Sequence, residues 1–338
     1  MKVFVGLSGG VDSAVTAALL KNEGHEVVGV FIKGDYPEGL PCTWAEDRRD
    51  AMRVAAHLSL PFATLDASKE YKKAVLDYLL TEYRAGRTPN PDVMCNRDVK
   101  FGAFYRYARN KGAEALATGH YARQEGGRLL RGADAGKDQS YFLWAVQKEA
   151  LAFARFPLGG FRKEETRALA KRLALPVAAK KDSQGICFLG PVSVEEYLRS
   201  EFGTEKGAAH DPSGKEVGKH DGVLLSTIGE RVALESAAPG PWYVIGKDIA
   251  ENRLIVAHER PPMPKNGQLR LGSVNLLEDS GGILSAQYRY HGPIVQGAFD
   301  AARSTFVPDT ALPEPVAEGQ SLVLYDDEAL IGGGIIAS

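Results

Sequence analysis

Cys95 stands in a segment whose neighbouring side chains could do chemistry on a thiol. Arg97 and Lys100 follow it closely, and a helix is predicted to begin at about Asp98. Because cations and a helix N-terminus lower the pKa of a cysteine, Cys95 is predicted to be a reactive thiolate. Asp92, three residues upstream, is within reach as a general acid or base. The alternative is a buried, inert cysteine in a tight turn, against which the polar, proline-rich surroundings argue.

A second cysteine lies in the string Gly185-Ile186-Cys187-Phe188. Its apolar flank is compatible with a shielded, reactive sulfur and also with simple core packing. Cys42 has no acid or cation arranged near it and is interpreted as incidental. Three cysteines in 338 residues do not make a disulfide framework, and such an odd, sparse set is typical of a reducing compartment. We therefore expect a cytoplasmic protein.

An eight-residue, glycine-rich stretch follows the first predicted strand and opens the first predicted helix. Its glycines let the backbone approach an anion closely, and the helix N-terminus offers unpaired N–H groups and a positive dipole end. Asp12 could cap the helix or help to hold Mg²⁺. The stretch is neither a Walker A loop nor a G-x-G-x-x-G fingerprint, and an ordinary capped turn is the alternative. The predicted nucleotide-binding residues are Gly6, Leu7, Ser8, Gly9, Gly10, Val11, Asp12 and Ser13.

Two strand ends are predicted to flank the same nucleotide, because ligands of parallel α/β sheets bind beyond the carboxyl ends of the strands. Ile32 ends the second predicted strand, although an isoleucine at that point is more often core. Gly119 follows a later strand, and a glycine at that edge allows close approach of an adenosine. Both are predicted contacts of the nucleotide.

Taken together, these motifs resemble a known family. The string SGGVDS at residues 8–13 resembles the PP-loop (N-type) ATP pyrophosphatases. Asp92-x-x-Cys95 together with GICF at residues 185–188 narrows the resemblance to the tRNA-specific 2-thiouridylase family. The similarity is collinear and continues in KDQSYFL at 137–143, TIGER at 227–231, PWYV at 241–244, NRL at 252–254 and RY at 289–290. It therefore spans most of the chain.

The resemblance implies ATP-dependent 2-thiolation of the wobble uridine (U34) of tRNA. ATP, used with Mg²⁺, adenylates O2 of the uridine, and Cys187 carries a persulfide whose terminal sulfur attacks C2. Cys95 is the nucleophile that releases this sulfur by forming a disulfide with Cys187, and Asp92 is the acid/base residue. Implied partners are tRNA, a persulfide-delivering sulfur-relay protein and a disulfide reductant. We expect a monomer in which the two cysteines meet only when tRNA is bound.

The resemblance also implies which residues border the RNA, whose target base must swing out of its stack. Residues 84–111 and 161–181 each carry seven Lys or Arg against two acidic residues, which suits phosphate contact. Glu230, where the family usually has Gln, would weaken such contact if it lay near RNA, and His291-Gly292 also departs from the family. The implied tRNA-contacting residues are Asn90, Pro91, Asp92, His120, Lys137, Asp138, Gln139, Arg289, Tyr290 and Gln320.

Three other functions are compatible with parts of this pattern. A PP-loop enzyme of the amide or lysidine synthetase type also adenylates a carbonyl group but needs no cysteine pair. A non-catalytic tRNA-binding module would release no pyrophosphate. An iron–sulfur-dependent tRNA thiolase would use cysteines as cluster ligands, although position 92, a cysteine in C-x-x-C relatives of that kind, is Asp here.

The elements predicted to position these residues alternate between strand and helix in the first half of the chain. Strands are predicted at 2–7, 26–33, 62–66 and 114–118, and helices at 13–22, 46–58, 69–84 and 99–111. This alternation implies a parallel, Rossmann-like sheet covered on both faces. Later segments, at 223–225, 242–245, 253–257 and 321–325, read as short strands. We predict a PP-loop catalytic domain at 1–202, a β-rich domain at 203–264 and a barrel-like domain at 265–338, with a proline hinge at 261–264.

The composition of the chain limits the classes of protein to which it can belong. The chain is 44% hydrophobic and 25% charged, with a net charge of −2, which is ordinary for a globular protein of two or three domains. The charge excludes a uniformly basic coat, so RNA must bind through local patches. No secretory leader and no membrane span are predicted, because no apolar run approaches the ~18 residues that a span needs.

Overall fold

The structure is a computed structural model that describes residues 1–182, 185–235, 239–260, 267–279 and 281–337. The helices are α1 (Val11–Asn22), α2 (Trp44–His57), α3 (Ser68–Tyr71), α4 (Asp77–Arg84), α5 (Pro91–Met94), α6 (Phe104–Asn110), α7 (Lys148–Phe153), α8 (Lys163–Arg172) and α9 (Val194–Phe202). Lys72–Leu76 and Cys95–Ala103 are π-helical, and Ser140–Leu143 and Val223–Leu225 are 3-10 turns. The strands of the first half are β1 (Lys2–Gly6), β2 (Glu26–Lys33), β3 (Phe62–Asp66), β4 (Ala115–Ala117), β5 (Ala122–Glu125), β6 (Arg128–Arg131) and β7 (Ala154–Arg155). Those of the second half are β8 (Gly207–His210), β9 (Glu216–His220), β10 (Arg231–Val232), β11 (Trp242–Asp248), β12 (Arg253–Ala257), β13 (Leu269–Leu276), β14 (Gly282–Gln287), β15 (Ile294–Asp300), β16 (Thr305–Pro308), β17 (Ser321–Asp326) and β18 (Ala329–Ala337).

A five-stranded sheet in the order β3-β2-β1-β4-β7 forms the centre of the first part, and its pairings are parallel. In β1, Phe4 belongs to one hydrophobic cluster, whereas Val3 and Val5 belong to a second one on the opposite face. Successive side chains of a strand point to opposite faces, so this apolar run requires helices on both sides of the sheet. The predicted α/β, Rossmann-like fold class is confirmed.

Residues 91–110 form one continuous helix, in which α5, a π-helical segment and α6 follow each other. The predicted helix start at about Asp98 is therefore wrong, because Cys95 already lies within the helix. The Asn90 side chain caps the helix by accepting from the Asp92 N–H group (3.2 Å), and Pro91 stands in the first turn, where a proline lacks only an N–H that would be unpaired anyway. Asp92 and Cys95 thus lie three residues apart, on the same side of one helix.

The second half contains two β structures. Strands β10-β11-β12-β8-β9 form one sheet, with antiparallel pairing except between β12 and β8. The other closes into a six-stranded barrel because β13 pairs with both β16 and β18. Residues 223–225, predicted as a strand, form a 3-10 turn, since three apolar residues are too few to specify a strand. The barrel-like end is confirmed, whereas the hinge at 261–264 and the boundary after it lie outside the described residues.

The barrel holds the segment that leads into the helix of Cys95. The Thr88 N–H donates to the carbonyl of Glu318 (2.8 Å), and the Gln320 amide donates to the carbonyl of Thr88 (2.7 Å). The hairpin of β5 and β6 joins the barrel sheet beside β18. The barrel therefore fixes where this helix begins. Across the described ranges, the helices are too short or too polar for one of them to cross a bilayer.

Candidate active site

A cavity of about 530 Å³ opens at the carboxyl ends of β1, β2 and β4, a size typical of small-molecule sites. It brings together predicted residues from six separate segments of the sequence. Those that line it are Gly6, Leu7, Ser8, Gly10, Val11, Asp12, Ser13, Ile32, Gly119, His120, Lys137, Gln139, Cys187 and Tyr290.

The loop of residues 6–13 has the geometry of an anion-binding turn. Gly9 adopts φ +79° and packs so closely on α2 that a Cβ there would lie 2.3 Å from the carbonyl oxygen of Asp47. Gly10 is the N-cap of α1 and brings no capping side chain. The Ser13 hydroxyl donates to the Gly10 carbonyl (3.1 Å) and accepts from the Ser8 N–H (3.2 Å). The uncapped helix N-terminus therefore fits a phosphate group.

Asp12 is bound by a lysine that the sequence analysis did not single out. Lys163 Nζ lies 2.8 Å from both carboxylate oxygens of Asp12 and 2.9 Å from Asp182, and the Tyr121 hydroxyl donates to Asp12 (2.9 Å). Lys163 lies 151 positions after Asp12, and its place in a basic stretch was the sole hint. Asp12 does not cap α1, and binding of Mg²⁺ by its carboxylate would require exchange of the Lys163 contact.

The two strand-end predictions both lie in the cavity wall. Ile32 is 6% exposed and belongs to a hydrophobic cluster as well as to the lining. Gly119 faces the start of α1, where a Cβ would lie 2.9 Å from the backbone nitrogen of Ser13 and 3.0 Å from Asp12. A glycine is thus required for packing against α1, and its contact with adenosine stays a prediction.

Cys95 and Cys187 lie together. Cys95 is fully buried in the core, so the expectation that its polar surroundings keep it exposed is wrong; the helix turns it inward. A hydrogen bond with Cys95 is the largest cause that raises the pKa of Cys187, and burial is the second. The expectation that the sulfurs meet only when tRNA is bound stays a prediction, and the proximity of the two thiols in this structure argues against it.

The cation nearest to this pair lies on the Cys187 side. Lys100 Nζ is 3.6 Å from Cys187 Sγ. Arg97, which was expected to act on Cys95, pairs instead with its neighbour Asp98 (2.7 Å). The structure thus places the predicted positive charge beside the other thiol.

Asp92 is partly buried, and its Oδ1 has no hydrogen-bond partner among the described residues. Its charge raises the pKa of both Cys187 and Lys100. An enclosed but free carboxylate oxygen is suited to take up or give a proton. We call Asp92, Cys95, Lys100 and Cys187 the thiol cluster.

Cys42 is exposed, and within the described ranges no three His, Cys, Asp or Glu side chains are grouped to hold a metal ion.

His120 forms part of the cavity wall although it is only 7% exposed. Its Nδ1 lies 2.7 Å from Thr118 Oγ1, and its ring packs on Phe101 and Phe156. Burial, and secondly the charge of Lys100, hold its pKa well below the ordinary value. The imidazole is therefore neutral at pH 7.

We expect His120→Gln to flatten the loss of stability on acidification. Below a pH of about 6.5 the unfolded chain binds a proton at this residue and the folded chain does not. The free energy of unfolding therefore decreases as the pH is lowered, by up to about 1.4 kcal/mol per pH unit. Chemical denaturation between pH 7 and pH 5 measures the slope. His220, whose pKa burial also lowers, leaves part of the slope in the variant. His25→Gln, at a partly exposed site, is the control, and an unchanged slope in His120→Gln would contradict the account.

Besides His120, three residues expected near tRNA lie in the cavity wall. They are Lys137, Gln139 and Tyr290. The Lys137 ammonium contacts Asp182 (3.4 Å), and the ring of Tyr290 packs on Phe142 with centroids 4.4 Å apart. Their contact with RNA stays a prediction.

The remaining residues expected near tRNA, apart from Asp92, are bonded or packed within the protein. Asp138 is buried and accepts hydrogen bonds from the backbone of Gly132 and Ser140. Arg289 pairs with Glu314 (3.5 Å). Asn90 and Gln320 hold the start of the Cys95 helix, as described above, and Pro91 is buried in its first turn. Contact of these residues with RNA also stays a prediction.

Glu230, one of the two departures from the family pattern, is half-buried and directly precedes β10 of the middle sheet. Burial raises its pKa and lowers that of the nearby Lys247 to about 8. Lys247 Nζ donates to the carbonyl of Ser226 (2.7 Å). The Glu230 carboxylate is partly enclosed by protein. Its position therefore gives no support to the expectation that it weakens contact with the phosphates of RNA.

Family models match three consecutive parts of the chain. A model described as a tRNA methyl transferase HUP domain matches residues 1–191, and one described as a tRNA methyl transferase PRC-barrel domain matches residues 195–258. A third, described as an aminomethyltransferase beta-barrel domain, matches residues 269–336. The parallel-sheet part, the middle sheet and the barrel are thus each matched.

Curated relatives named tRNA-specific 2-thiouridylase MnmA are similar over nearly the whole chain. The protein from Chromobacterium violaceum is 44% identical over 358 residues, which cover 99% of this chain and 92% of the relative. Those from Streptococcus thermophilus and Enterococcus faecalis are 41% and 39% identical, and each match covers 99% of this chain and 95% of the relative. The chain therefore belongs to the tRNA-specific 2-thiouridylase (MnmA) family of tRNA sulfurtransferases.

Proposed function

We propose that this protein uses ATP to replace O2 of the wobble uridine (U34) of tRNA with a sulfur atom carried by Cys187. The observation that carries the proposal is the thiol cluster beside the phosphate-binding loop. Two neighbouring thiols, a carboxylate oxygen without a hydrogen-bond partner among the described residues and a cation beside one sulfur are suited to sulfur transfer. An amide or lysidine synthetase has no use for paired thiols, so the cluster favours thiolation over that alternative.

Substrate ATP would bind with its phosphates on the 6–13 loop and the N-terminus of α1. The uncapped N–H groups there stabilise negative charge, and Lys163 adds a positive charge beside Asp12. Attack of uridine O2 on the α-phosphate releases pyrophosphate and leaves AMP on O2. This activation is needed because a carbonyl oxygen is a poor leaving group and AMP is a good one.

The sulfur step then uses both cysteines. The terminal sulfur of a Cys187 persulfide attacks C2 of the adenylated uridine. The Cys95 thiolate attacks Cys187 Sγ, so that a Cys95–Cys187 disulfide forms, the outer sulfur stays on C2, and AMP departs with O2. Asp92 is placed to move the protons involved. The two electrons held by the thiols reduce the transferred sulfur, and an external reductant must restore them.

The proposal requires partners of defined chemistry. A persulfide donor, in the cell a sulfur-relay protein, loads Cys187, and a thiol reductant reopens the disulfide. tRNA is the substrate, and we propose that one chain acts as a monomer of the three parts 1–202, 203–264 and 265–338.

A reconstituted reaction tests this function. Purified protein is given ATP, a persulfide donor and a tRNA transcript with U34, and both pyrophosphate and 2-thiouridine are measured. We expect pyrophosphate release that depends on the tRNA and matches 2-thiouridine one to one, with a C34 transcript as the inactive control. Absence of pyrophosphate release would favour a non-catalytic binder, and release with transfer of an amine would favour the synthetase alternative.

A further inference from the structure

Lys100 is the cation of the thiol cluster, and none of the proposed steps yet uses it. It lies on the same helix as Cys95, lines the cavity, and has its Nζ 3.6 Å from Cys187 Sγ. Within the described part of the chain, no carboxylate oxygen comes within 4.0 Å of this nitrogen. The contact that the ammonium does make is with the sulfur.

The charges of the cluster favour the ammonium form of Lys100 and act in opposite directions on Cys187. Burial lowers the pKa of Lys100, but Cys187, Cys95 and Asp92 together raise it above the ordinary lysine value. Cys95, burial and Asp92 raise the pKa of Cys187, and Lys100 opposes them. An enclosed ammonium needs negative charge nearby, and a thiolate or persulfide at Cys187 supplies it. The titratable groups that face this sulfur or its cation are Asp92, Cys95, Lys100, Tyr71 and His120.

The loop that carries Cys187 is held against the cation. The Tyr71 hydroxyl donates to the carbonyl oxygen of Cys187 (2.6 Å), and the Tyr71 ring meets that of Phe188 edge-on, with centroids 5.6 Å apart. Lys100 is carried by a helix and Cys187 by a loop anchored at its backbone, so their contact does not depend on one flexible side chain alone.

We propose that Lys100 is a further catalytic residue of the sulfur transfer and that its ammonium group binds the anionic sulfur at Cys187. This inference rests on the proposed function. In loading, the Cys187 thiol gives its proton to Asp92, and the thiolate attacks the outer sulfur of a donor persulfide, R–S–SH. A sulfur–sulfur bond forms on Cys187, the donor's bond breaks, and R–S⁻ leaves, while Lys100 stays charged throughout.

The same contact serves the next step. Ionisation of the loaded persulfide places the negative charge on its outer sulfur, close to the ammonium. A fixed cation beside a sulfur anion stabilises it without reorganisation during the reaction. Lys100 thereby distinguishes the two cysteines, because it favours an anion on the sulfur that carries the cargo.

A purely structural role for Lys100 makes a different prediction. The unbranched stem could simply fill space in the cavity wall, as such stems do. Lys100→Met keeps the stem and removes the charge, whereas Lys100→Arg keeps the charge. If Lys100 only fills space, Lys100→Met should behave like the unmodified protein. If its charge matters, Lys100→Met should lose the effect and Lys100→Arg should keep it.

The test is the pH dependence of Cys187 alkylation, measured on the intact protein in a Cys95→Ser background with iodoacetamide and mass spectrometry. We expect Lys100→Met to raise the midpoint by about one to two pH units, so that Cys187 reacts roughly 10- to 100-fold more slowly at pH 8. Lys100→Arg should restore most of the rate. Cys42, which is exposed, reports in the same sample and should react at an unchanged rate.

An unchanged Cys187 midpoint in Lys100→Met overturns the inference. Should Lys100→Met fail to fold, Lys100→Gln, which also removes the charge, takes its place in the same assay: an unchanged Cys187 midpoint overturns the inference, and a raised midpoint supports it. The alkylation needs neither ATP nor tRNA. Failure of the proposed function appears instead as absence of 2-thiouridine with the unmodified protein, so the two failures are distinguishable.

Discussion

Cys187→Ser is expected to abolish 2-thiouridine formation, by at least about a thousandfold, while tRNA-dependent pyrophosphate release continues. The variant loses the sulfur that would carry the persulfide, but the 6–13 loop and Lys163, which would act on ATP, are untouched. A serine hydroxyl cannot hold a persulfide, so the adenylated uridine forms but is not attacked by sulfur. Mass spectrometry of tRNA nucleosides and a pyrophosphate assay on the same reaction measure the two steps separately.

Matched serine variants complete this experiment. Cys42→Ser changes an exposed cysteine outside the thiol cluster and should leave both steps unchanged. Cys95→Ser should accept sulfur on Cys187 and yet fail to release it by disulfide formation. Turnover that survives in a Cys95→Ser/Cys187→Ser protein would show that the chemistry is of the synthetase type and that the account of the cysteines is wrong.

Gly9→Ala is expected to weaken ATP binding at least about 100-fold. Its φ of +79° is unfavourable for alanine, at a cost of about 1–2 kcal/mol, and the added Cβ would meet the Asp47 carbonyl at 2.3 Å. The loop must shift to relieve this contact. A misplacement of about 1 Å can lower a reaction rate about a hundredfold, and we expect a loss of the same order in the affinity for ATP. Isothermal titration with ATP measures the affinity, and thermal unfolding measures the cost in stability.

Gly24→Ala separates loop displacement from backbone strain. Gly24 follows the other end of α1, has a φ of +84°, and has open space where its Cβ would lie. It should lose a similar 1–2 kcal/mol of stability and keep its ATP affinity. If Gly9→Ala and Gly24→Ala bind ATP equally well, the 6–13 loop is not the phosphate site.

The alternation of strands and helices was predictable because short-range periodicity fixes it. Strands 26–33 and 62–66 agree with the structure to the residue. The start of the Cys95 helix was misjudged for a local reason: the proline-rich segment before Asp98 was interpreted as a loop, whereas Pro91 begins the helix and Asn90 caps it. A proline in the first turn and a proline in a loop look the same in sequence unless the cap is weighed.

The parts of the site that sequence reasoning missed depend on contacts between distant segments. The Lys163 contact with Asp12 spans 151 positions, and the Lys100 contact with Cys187 spans 87. Both lysines stand in basic stretches, which indicate RNA contact as readily as they indicate a catalytic charge. The helix directs the Lys100 side chain toward Cys187. This direction follows from tertiary packing, which the sequence pattern does not reveal.

The most direct test of the central claim is mass spectrometry of tRNA nucleosides from cells with and without this gene. We predict that 2-thiouridine derivatives at the wobble position disappear without the gene, return with the unmodified gene and do not return with the Cys187→Ser gene. Unchanged 2-thiouridine derivatives in cells that lack the gene, with no second thiolase to account for them, would contradict the claim that this protein thiolates tRNA.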